Sequence, residues 1–194
     1  MRKSRQEAAE TRQRIVEAAS SRFRLQGIGS TGLADFMGEA GLTHGGFYKH
    51  FASKDQVVQE SMALAAAELT EVLRTAAAVQ PASRGLKAII DRYLSIGHRD
   101  NVVDGGCPFV ALASELARGS DEVREIATAS LNELADLITA QLPAHYPDLP
   151  AAAARKKAWV MLSTMIGAMS VARVVNDEAL SDSILRETRK TLYP

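Results

Sequence analysis

The sequence predicts an all-α protein, and three observations carry that prediction. Apolar residues recur at three- and four-residue spacing along most of the chain. Glycine and proline fall where these runs break, at Gly27, Gly41, Pro81, Gly119 and Pro150. Near the amino end, the run from Leu42 to Lys54 gathers small, polar and basic side chains onto a very short helix. The expected architecture is a three-helix head followed by a helical body, about nine helices in all.

Helix one is expected from about Glu7 to Gln26. Ile15, Ala19 and Phe23 repeat every fourth position, while Arg12, Arg14, Arg22 and Arg24 lie off that stripe. Gly27 is placed to end it. Helix two carries Leu33, Phe36, Met37 and Ala40 on one face that must close on helix one, and Gly41 supplies the turn. Thr43 suits the N-cap of helix three, with Phe47 and Phe51 pointing inward and His44, Lys49 and His50 pointing away. Ser53 and Gln56 have capping-box spacing and open helix four. This order reads as a helix-turn-helix head. Glycine costs about 1 kcal/mol relative to alanine inside a helix, so the pair Gly45 and Gly46 needs compensation from elsewhere. Absent side chains there let a backbone approach base edges or a sugar-phosphate chain closely.

Helix four is expected from Lys54 to about Ala78, with Val58, Leu64, Ala65, Leu69, Val72 and Leu73 on its stripe. The segment 80–83 breaks it, and Ser83 is placed to cap helix five, which carries Leu86, Ile89, Ile90, Tyr93 and Leu94. A loop over 101–106 leads to Pro108 in the first turn of a helix ending near Gly119. Another helix runs from Asp121 to about Leu142, a loop covers 145–150, and two final helices span Ala151 to Val175 and Ser181 to Leu192. From Ala158 to Val175 the sequence is apolar on nearly all sides, and such a helix must be covered all round. One body of this size offers limited cover, so a second copy of the chain is expected against it.

With 194 residues, 46% hydrophobic and 24% charged, the chain can bury a sizeable core as one or two small domains. No apolar run is long enough to span a bilayer, and the start from Met1 to Arg5 lacks a signal-peptide core, so a cytoplasmic protein is expected. The single cysteine, Cys107, excludes an intramolecular disulfide and any multi-cysteine zinc site. The formal net charge is zero but unevenly spread. Residues 1–54 hold nine Lys and Arg against five Asp and Glu, a net of +4, leaving fourteen against eighteen in the remainder. A basic head on an acidic body steers that head toward phosphate. Arg2, Lys3 and Arg5 would extend it as a flexible arm on the backbone or minor groove.

The residues Ile15, Ala18, Ala19, Phe23, Gly27, Phe36, Ala40, Gly41, Phe47, Tyr48, Phe51 and Lys54 together resemble the head of the tetracycline-repressor (TetR) family of transcription regulators. The resemblance covers about the first third of the chain. It implies that Thr43, His44, Gly45, Gly46 and Lys49 face the major groove, while Tyr48, His50 and Lys54 hold phosphates, the last beside a helix N-terminus that favours them. It also implies that the last two helices pair with their copies in a two-fold four-helix bundle. The chain departs from the family at Gly32 and Ala34, where a threonine and a basic residue are common, and Thr31 is expected to cap helix two instead.

For that bundle, Ser163, Gly167 and Ser170 allow close approach, with Ile184, Leu185, Thr188 and Leu192 contributing from the last helix. A dimer would place two recognition helices ~34–36 Å apart, one turn of DNA. Tyr93, Phe109, Leu112, Leu116, Trp159, Met161, Met165 and Met169 are candidates to line an effector cavity, methionine tolerating several ligand shapes. Cys107, at the start of a helix, joins that set as a site where an oxidant or electrophile would act. His98 and His145 with Asp100 and Asp104 show no spacing that gathers them into a metal or catalytic site, and no cofactor is expected.

The expected protein is a homodimeric, sequence-specific regulator of transcription, with a DNA-binding domain over 1–54 and an effector-binding and dimerisation domain over 55–194. It would act as a repressor released from double-stranded operator DNA by a small molecule or electrophile, making no bond and touching no membrane. The alternative is a cysteine-dependent enzyme or small-molecule-binding helical protein with a vestigial head. A non-specific architectural DNA binder is disfavoured by the neutral total charge.

Overall fold

In the computed structural model, which describes residues 2–101 and 105–193 and side chains from residue 5 onward within those spans, the protein is all-α, with no β-strand among the described residues. The α-helices are α1 (Arg2–Gln26), α2 (Leu33–Glu39), α3 (Lys54–Ala78), α4 (Ala82–Tyr93), α5 (Ile96–Arg99), α6 (Pro108–Ala111), α7 (Ala113–Leu116), α8 (Asp121–Gln141), α9 (Ala151–Val174) and α10 (Glu178–Leu192). Two 3-10 helices, His44–Lys49 and Leu142–Ala144, complete the described elements. The segmentation is finer than the nine helices expected. The helix predicted from Pro108 to Gly119 is interrupted at Leu112 (φ −118°, ψ 7°).

The chain forms two compact units, Met1–Ala66 with Val102–Thr128 and Ala67–Asn101 with Ala129–Pro194. The unit holding the head is therefore larger than residues 1–54, because α6 and α7 pack with it.

In the first unit, Ile15, Ala19 and Phe23 are buried as their spacing predicts, and they close on Phe36, Met37, Phe47 and Phe51. Gly27 ends α1 with φ +87°, a conformation L side chains rarely adopt, and its N–H donates to Phe23 O at 2.8 Å. Thr31 does not cap α2. It is fully buried, and its hydroxyl donates to Gly27 O at 2.7 Å, satisfying a carbonyl at the end of α1. Gly32 takes the N-cap position, and its N–H donates to Asp35 Oδ2 at 2.6 Å. The segment after residue 104 returns to α1: Arg24 donates to Gly106 O at 3.1 Å, and Glu115 accepts from Gly29 N at 2.8 Å.

In the second unit, Leu86, Ile89, Ile90 and Tyr93 of α4 share a core with Leu134 and Ile138 of α8 and with Ala158, Leu162, Met165 and Met169 of α9. α10 lies along α9. It begins three residues earlier than predicted, because Asp177 caps it by accepting from Leu180 N at 3.0 Å. Arg99 donates to Ser181 Oγ at 2.8 Å and Asp182 Oδ1 at 2.6 Å, tying α5 to α10. Ser83 lies inside α4, whose N-cap is Pro81.

Candidate nucleic-acid interface

Four aromatic rings set the third head helix in place. Phe23 meets Phe36 edge-on at 5.8 Å between centroids, Phe36 meets Phe47 at 6.1 Å, and Phe47 stacks on Phe51 at 5.8 Å. Burying each ring contributes roughly 1.5–3 kcal/mol, which outweighs the cost of two glycines in the segment they anchor. The segment His44–Lys49 is a 3-10 helix rather than an α-helix, held by Gly46 N to Thr43 O at 3.0 Å and His50 N to Phe47 O at 2.9 Å. Thr43 occupies the N-cap position with extended backbone, without a side-chain capping bond.

With Phe47 drawn inward, the opposite face is left to solvent. Thr43, His44, Gly45, Tyr48 and Lys49 are exposed, Tyr48 at 69%, while Gly46 and His50 are half-buried. Neither Gly45 nor Gly46 has positive φ, so the turn itself does not require glycine there. A Cβ on Gly45 would meet nothing within 4 Å, and one on Gly46 would only touch Met37 Cε at 3.8 Å. Internal packing thus gives no reason for either glycine. No carboxylate occurs from Gly41 to Lys54, so this face carries only neutral and basic groups.

Lys54 departs from expectation. Its ammonium is turned inward, donating to Ile28 O at 2.6 Å and lying 5.8 Å from the centre of the Phe23 ring. It braces the α1–α2 turn through a charge-assisted hydrogen bond to a backbone carbonyl. The residue expected to hold a phosphate thus has an internal partner, with its side chain half-buried. The cap beside it forms nearly as predicted: Gln56 N donates to Ser53 Oγ at 3.1 Å, and Gln56 Oε1 accepts from Ala52 N at 2.9 Å, one residue earlier than a standard capping box. Arg5 is exposed, and α1 begins at Arg2, so the expected arm is helical backbone from that residue. The side chains of Arg2 and Lys3 lie outside the described residues, as does Asp104.

A network that spacing along one helix does not show stands behind this face. Arg12 of α1 forms a two-pronged ion pair with Glu60 of α3, lies over the Phe51 ring at 4.4 Å, and donates to His50 O at 3.4 Å. Glu60 also accepts from Gln56 Nε2 at 3.2 Å.

The expected effector residues are divided between the units. Cys107, Phe109 and Leu112 lie in the first, and Tyr93, Trp159, Met161, Met165 and Met169 in the second. All are buried except Trp159, which is half-buried under Arg155. Leu112 lines, with Ser20, Phe23, Ser61 and Leu116, a cavity of about 10 Å³, room for one water. Cys107 is 1% exposed, so an electrophile reaches its sulfur only if the surrounding residues move. Tyr93 packs edge-on against His98 at 4.8 Å, and its carbonyl accepts from His98 Nδ1 at 2.6 Å. Burial lowers the His98 pKa, outweighing that bond, and Arg173 and Arg92 lower it further.

Along α9, Val160, Ser163, Gly167, Val171 and Val174 form one exposed stripe, Val174 at 84%. A Cβ on Gly167 would meet nothing within 4 Å. On α10, Ile184, Thr188 and Leu192 are half-buried, and Leu180 is exposed. Leu185 corrects the expected interface set: it is 1% exposed within its own subunit, so it belongs to the core under α10 rather than to an outer face. Ser170 is half-buried, and its hydroxyl is returned to Ile166 O at 2.9 Å. Among the described residues, no group of three or more His, Cys, Asp or Glu is placed to hold a metal ion, and no helix is long and apolar enough to cross a membrane.

Comparison with known proteins agrees at both ends of the chain. The family described as bacterial regulatory proteins, tetR family, matches residues 15–60, and the family described as tetracyclin repressor-like, C-terminal domain, matches residues 82–188. The HTH-type transcriptional regulator AcrR of Shigella flexneri is 39% identical over 71 residues, 37% of this chain and 33% of that protein. TtgR of Pseudomonas putida is 44% identical over 59 residues, 30% of this chain and 28% of that protein. These matches thus span about a third of the relatives' length. The uncharacterized regulator Rv0196 of Mycobacterium tuberculosis is 28% identical over 93% of both chains. Among solved structures, a TetR transcriptional regulator from Chloroflexus aurantiacus superposes with a TM-score of 0.81 at 26% identity, covering 99% of this chain and 94% of that one. The reduced form of NemR from Escherichia coli shares the fold, with a TM-score of 0.80 at 17% identity over 95% of both chains.

Proposed function

The chain belongs to the tetR family of bacterial regulatory proteins, and from that premise we propose that it is a sequence-specific DNA-binding repressor that works as a homodimer and leaves its operator when an effector binds. The observation that carries the reading is the outward face of the third head helix. It presents Thr43, His44, Gly45, Tyr48 and Lys49 without a carboxylate, on a segment pinned from behind by Phe47 and Phe51.

In this reading Lys49 and His44 read base edges, the two glycines let the backbone close on the groove, and Tyr48 and His50 hold phosphates. Lys54 acts from inside the head. The functional division places DNA binding in residues 1–54 and effector binding and dimerisation in 55–194, with α6 and α7 packed into the unit that carries the head. The dimer forms through the α9 stripe of Val160, Ser163, Gly167, Val171 and Val174 with the outer face of α10. A row of exposed valines flanking a small residue is an apolar surface that a second copy would cover.

Release is a matter of linkage. An effector that binds one arrangement of the dimer better than the DNA-competent one lowers operator affinity by that same difference. The effector is a small molecule held among the buried residues of the helical body, Tyr93, Met161, Met165 and Met169 among them. The burial of Cys107 favours this over an electrophile acting on the thiol. The protein makes and breaks no bond in this mechanism, needs no cofactor, and works in the cytoplasm with double-stranded DNA.

Selection from a pool of random duplexes tests the proposal. Enrichment of one two-fold symmetric motif with half-sites about one helical turn apart, ~10 base pairs, is expected. Recovery of no motif would contradict it.

A further inference from the structure

We propose that Arg12 and Glu60 are positioning residues for DNA recognition: their ion pair fixes the exit of the third head helix and so sets the angle at which His44–Lys49 meets the groove. The inference rests on the DNA-binding reading above and adds two residues that touch no DNA in it.

The geometry converges on one short turn. The 3-10 helix ends at Lys49, and the chain must reverse through His50, Phe51, Ala52 and Ser53 before α3 begins at Lys54. Arg12 holds the first half of that turn twice, through the His50 carbonyl and through the face of the Phe51 ring. Gln56 holds the second half by accepting from Ala52 N, while its backbone N–H donates to the Ser53 hydroxyl oxygen. Glu60 joins the two halves, since it pairs with both prongs of Arg12 and accepts from Gln56 Nε2. The turn is therefore gripped from α1 and from α3, and one carboxylate links the grips.

The planar guanidinium suits this place. It offers a fork to a carboxylate, a flat face to an aromatic ring and a further N–H to a carbonyl, which a lysine ammonium does not supply together. The pair is partly exposed, with side-chain exposures of 35% and 31%, so its value as a simple source of stability is small. Its value lies in orientation: Phe47 and Phe51 stack at 5.8 Å behind the helix, and Arg12 and Glu60 act on the backbone that follows it.

Charge separates positioning from direct contact. Glu60→Gln removes a negative charge from the basic head, so electrostatics alone tightens binding to any duplex. A positioning role instead weakens binding to the preferred duplex.

The experiment measures affinity of the full chain and of Arg12→Gln, Glu60→Gln, Arg12→Lys and the double Arg12→Gln/Glu60→Gln variant. The probes are a duplex selected by the wild-type protein and a scrambled duplex of the same composition, with thermal unfolding measured in parallel. Both single glutamine variants are expected to lose about tenfold on the selected duplex, comparable to one mismatched base pair, and the double variant no more than either alone. Arg12→Lys, which keeps the charge but not the fork, should recover part of the loss. Glu60→Gln should bind the scrambled duplex at least as well as wild type. The inference is overturned if Glu60→Gln binds the selected duplex as tightly as wild type or more so, or if Arg12→Gln loses equally on both probes. A wild-type protein that prefers no duplex sinks the DNA-binding reading and this inference together. A wild-type preference left untouched by the variants sinks the inference alone.

Discussion

The ammonium of Lys54 donates to the carbonyl of Ile28 at 2.6 Å, so the first residue of α3 is tied to the turn between α1 and α2. A basic residue at a helix N-terminus invites assignment to phosphate, yet here it ties down the turn that follows another helix. Lys54→Met should lower the stability of the protein by about 1–2 kcal/mol in denaturant unfolding. It should leave the slope of log affinity against log salt unchanged. Lys49→Met should instead change the preferred sequence, with little effect on stability. A reduced slope for Lys54→Met would return that residue to the phosphate contacts.

Gly105 has φ +70°, and a Cβ there would collide with Arg24, lying 2.8 Å from its backbone carbonyl carbon and still nearer its Cβ. Both the conformation and the approach require glycine. Gly105→Ala is expected to destabilise the protein by about 2–3 kcal/mol. A melting temperature equal to wild type would show that the segment does not pack on α1 in solution.

Gly167 faces open space on α9, where a Cβ would meet nothing within 4 Å, so a side chain there starts outward from its own subunit. Gly167→Arg should sediment as a monomer with unchanged helical circular dichroism, and should lose operator affinity because two half-sites are no longer engaged together. A variant that remains dimeric would place the interface elsewhere.

Cys107 is almost fully buried. Its thiol should react with Ellman's reagent in the folded protein at least a hundredfold more slowly than in denaturant, on the order expected when reaction requires local opening. Cys107→Ser should retain release by the effector. Rapid labelling that abolishes DNA binding would restore the electrophile-sensing reading.

His98 is held with a lowered pKa, first by burial and then by Arg173 and Arg92, against the raising effect of its bond to Tyr93 O. The folded state therefore binds fewer protons at this site than the unfolded state as pH falls below the ordinary histidine value of about 6.5. Stability attributable to His98 is complete above that value and is lost as pH drops from it toward the lowered folded pKa. His98→Gln should lose less stability than wild type between about pH 7.5 and pH 5.5 in matched unfolding titrations. Identical pH profiles would show that the imidazole is not held neutral.

Much of the head was legible because its signals are local. The four-residue repeat of Ile15, Ala19 and Phe23, the glycine after α1 and the inward pair Phe47 and Phe51 each depend on residues within one or two turns. The 3-10 character of His44–Lys49 was not legible. Two glycines weaken an α-helix without saying what replaces it. Arg12 looked like a solvated arginine because its partner lies 48 residues away, and Lys54 looked available because Ile28 offers only a backbone atom. On α10, Ile184 and Leu185 are equally apolar neighbours, and only the tertiary packing of the helix decides that Leu185 goes under. An apolar stripe reads the same whether its core is filled or hollow, which is why the effector residues are the least defined part of the site.

The most direct test of the central claim is a pair of binding isotherms at one fixed salt concentration, for the wild-type protein on its selected duplex and on a scrambled duplex. The face of His44–Lys49 predicts a preference of about a thousandfold or more, two chains per selected duplex, and a shift in preferred sequence for His44→Ala. Equal affinity for the two duplexes, or a preference that survives unaltered when His44 and Lys49 are both replaced, would contradict it.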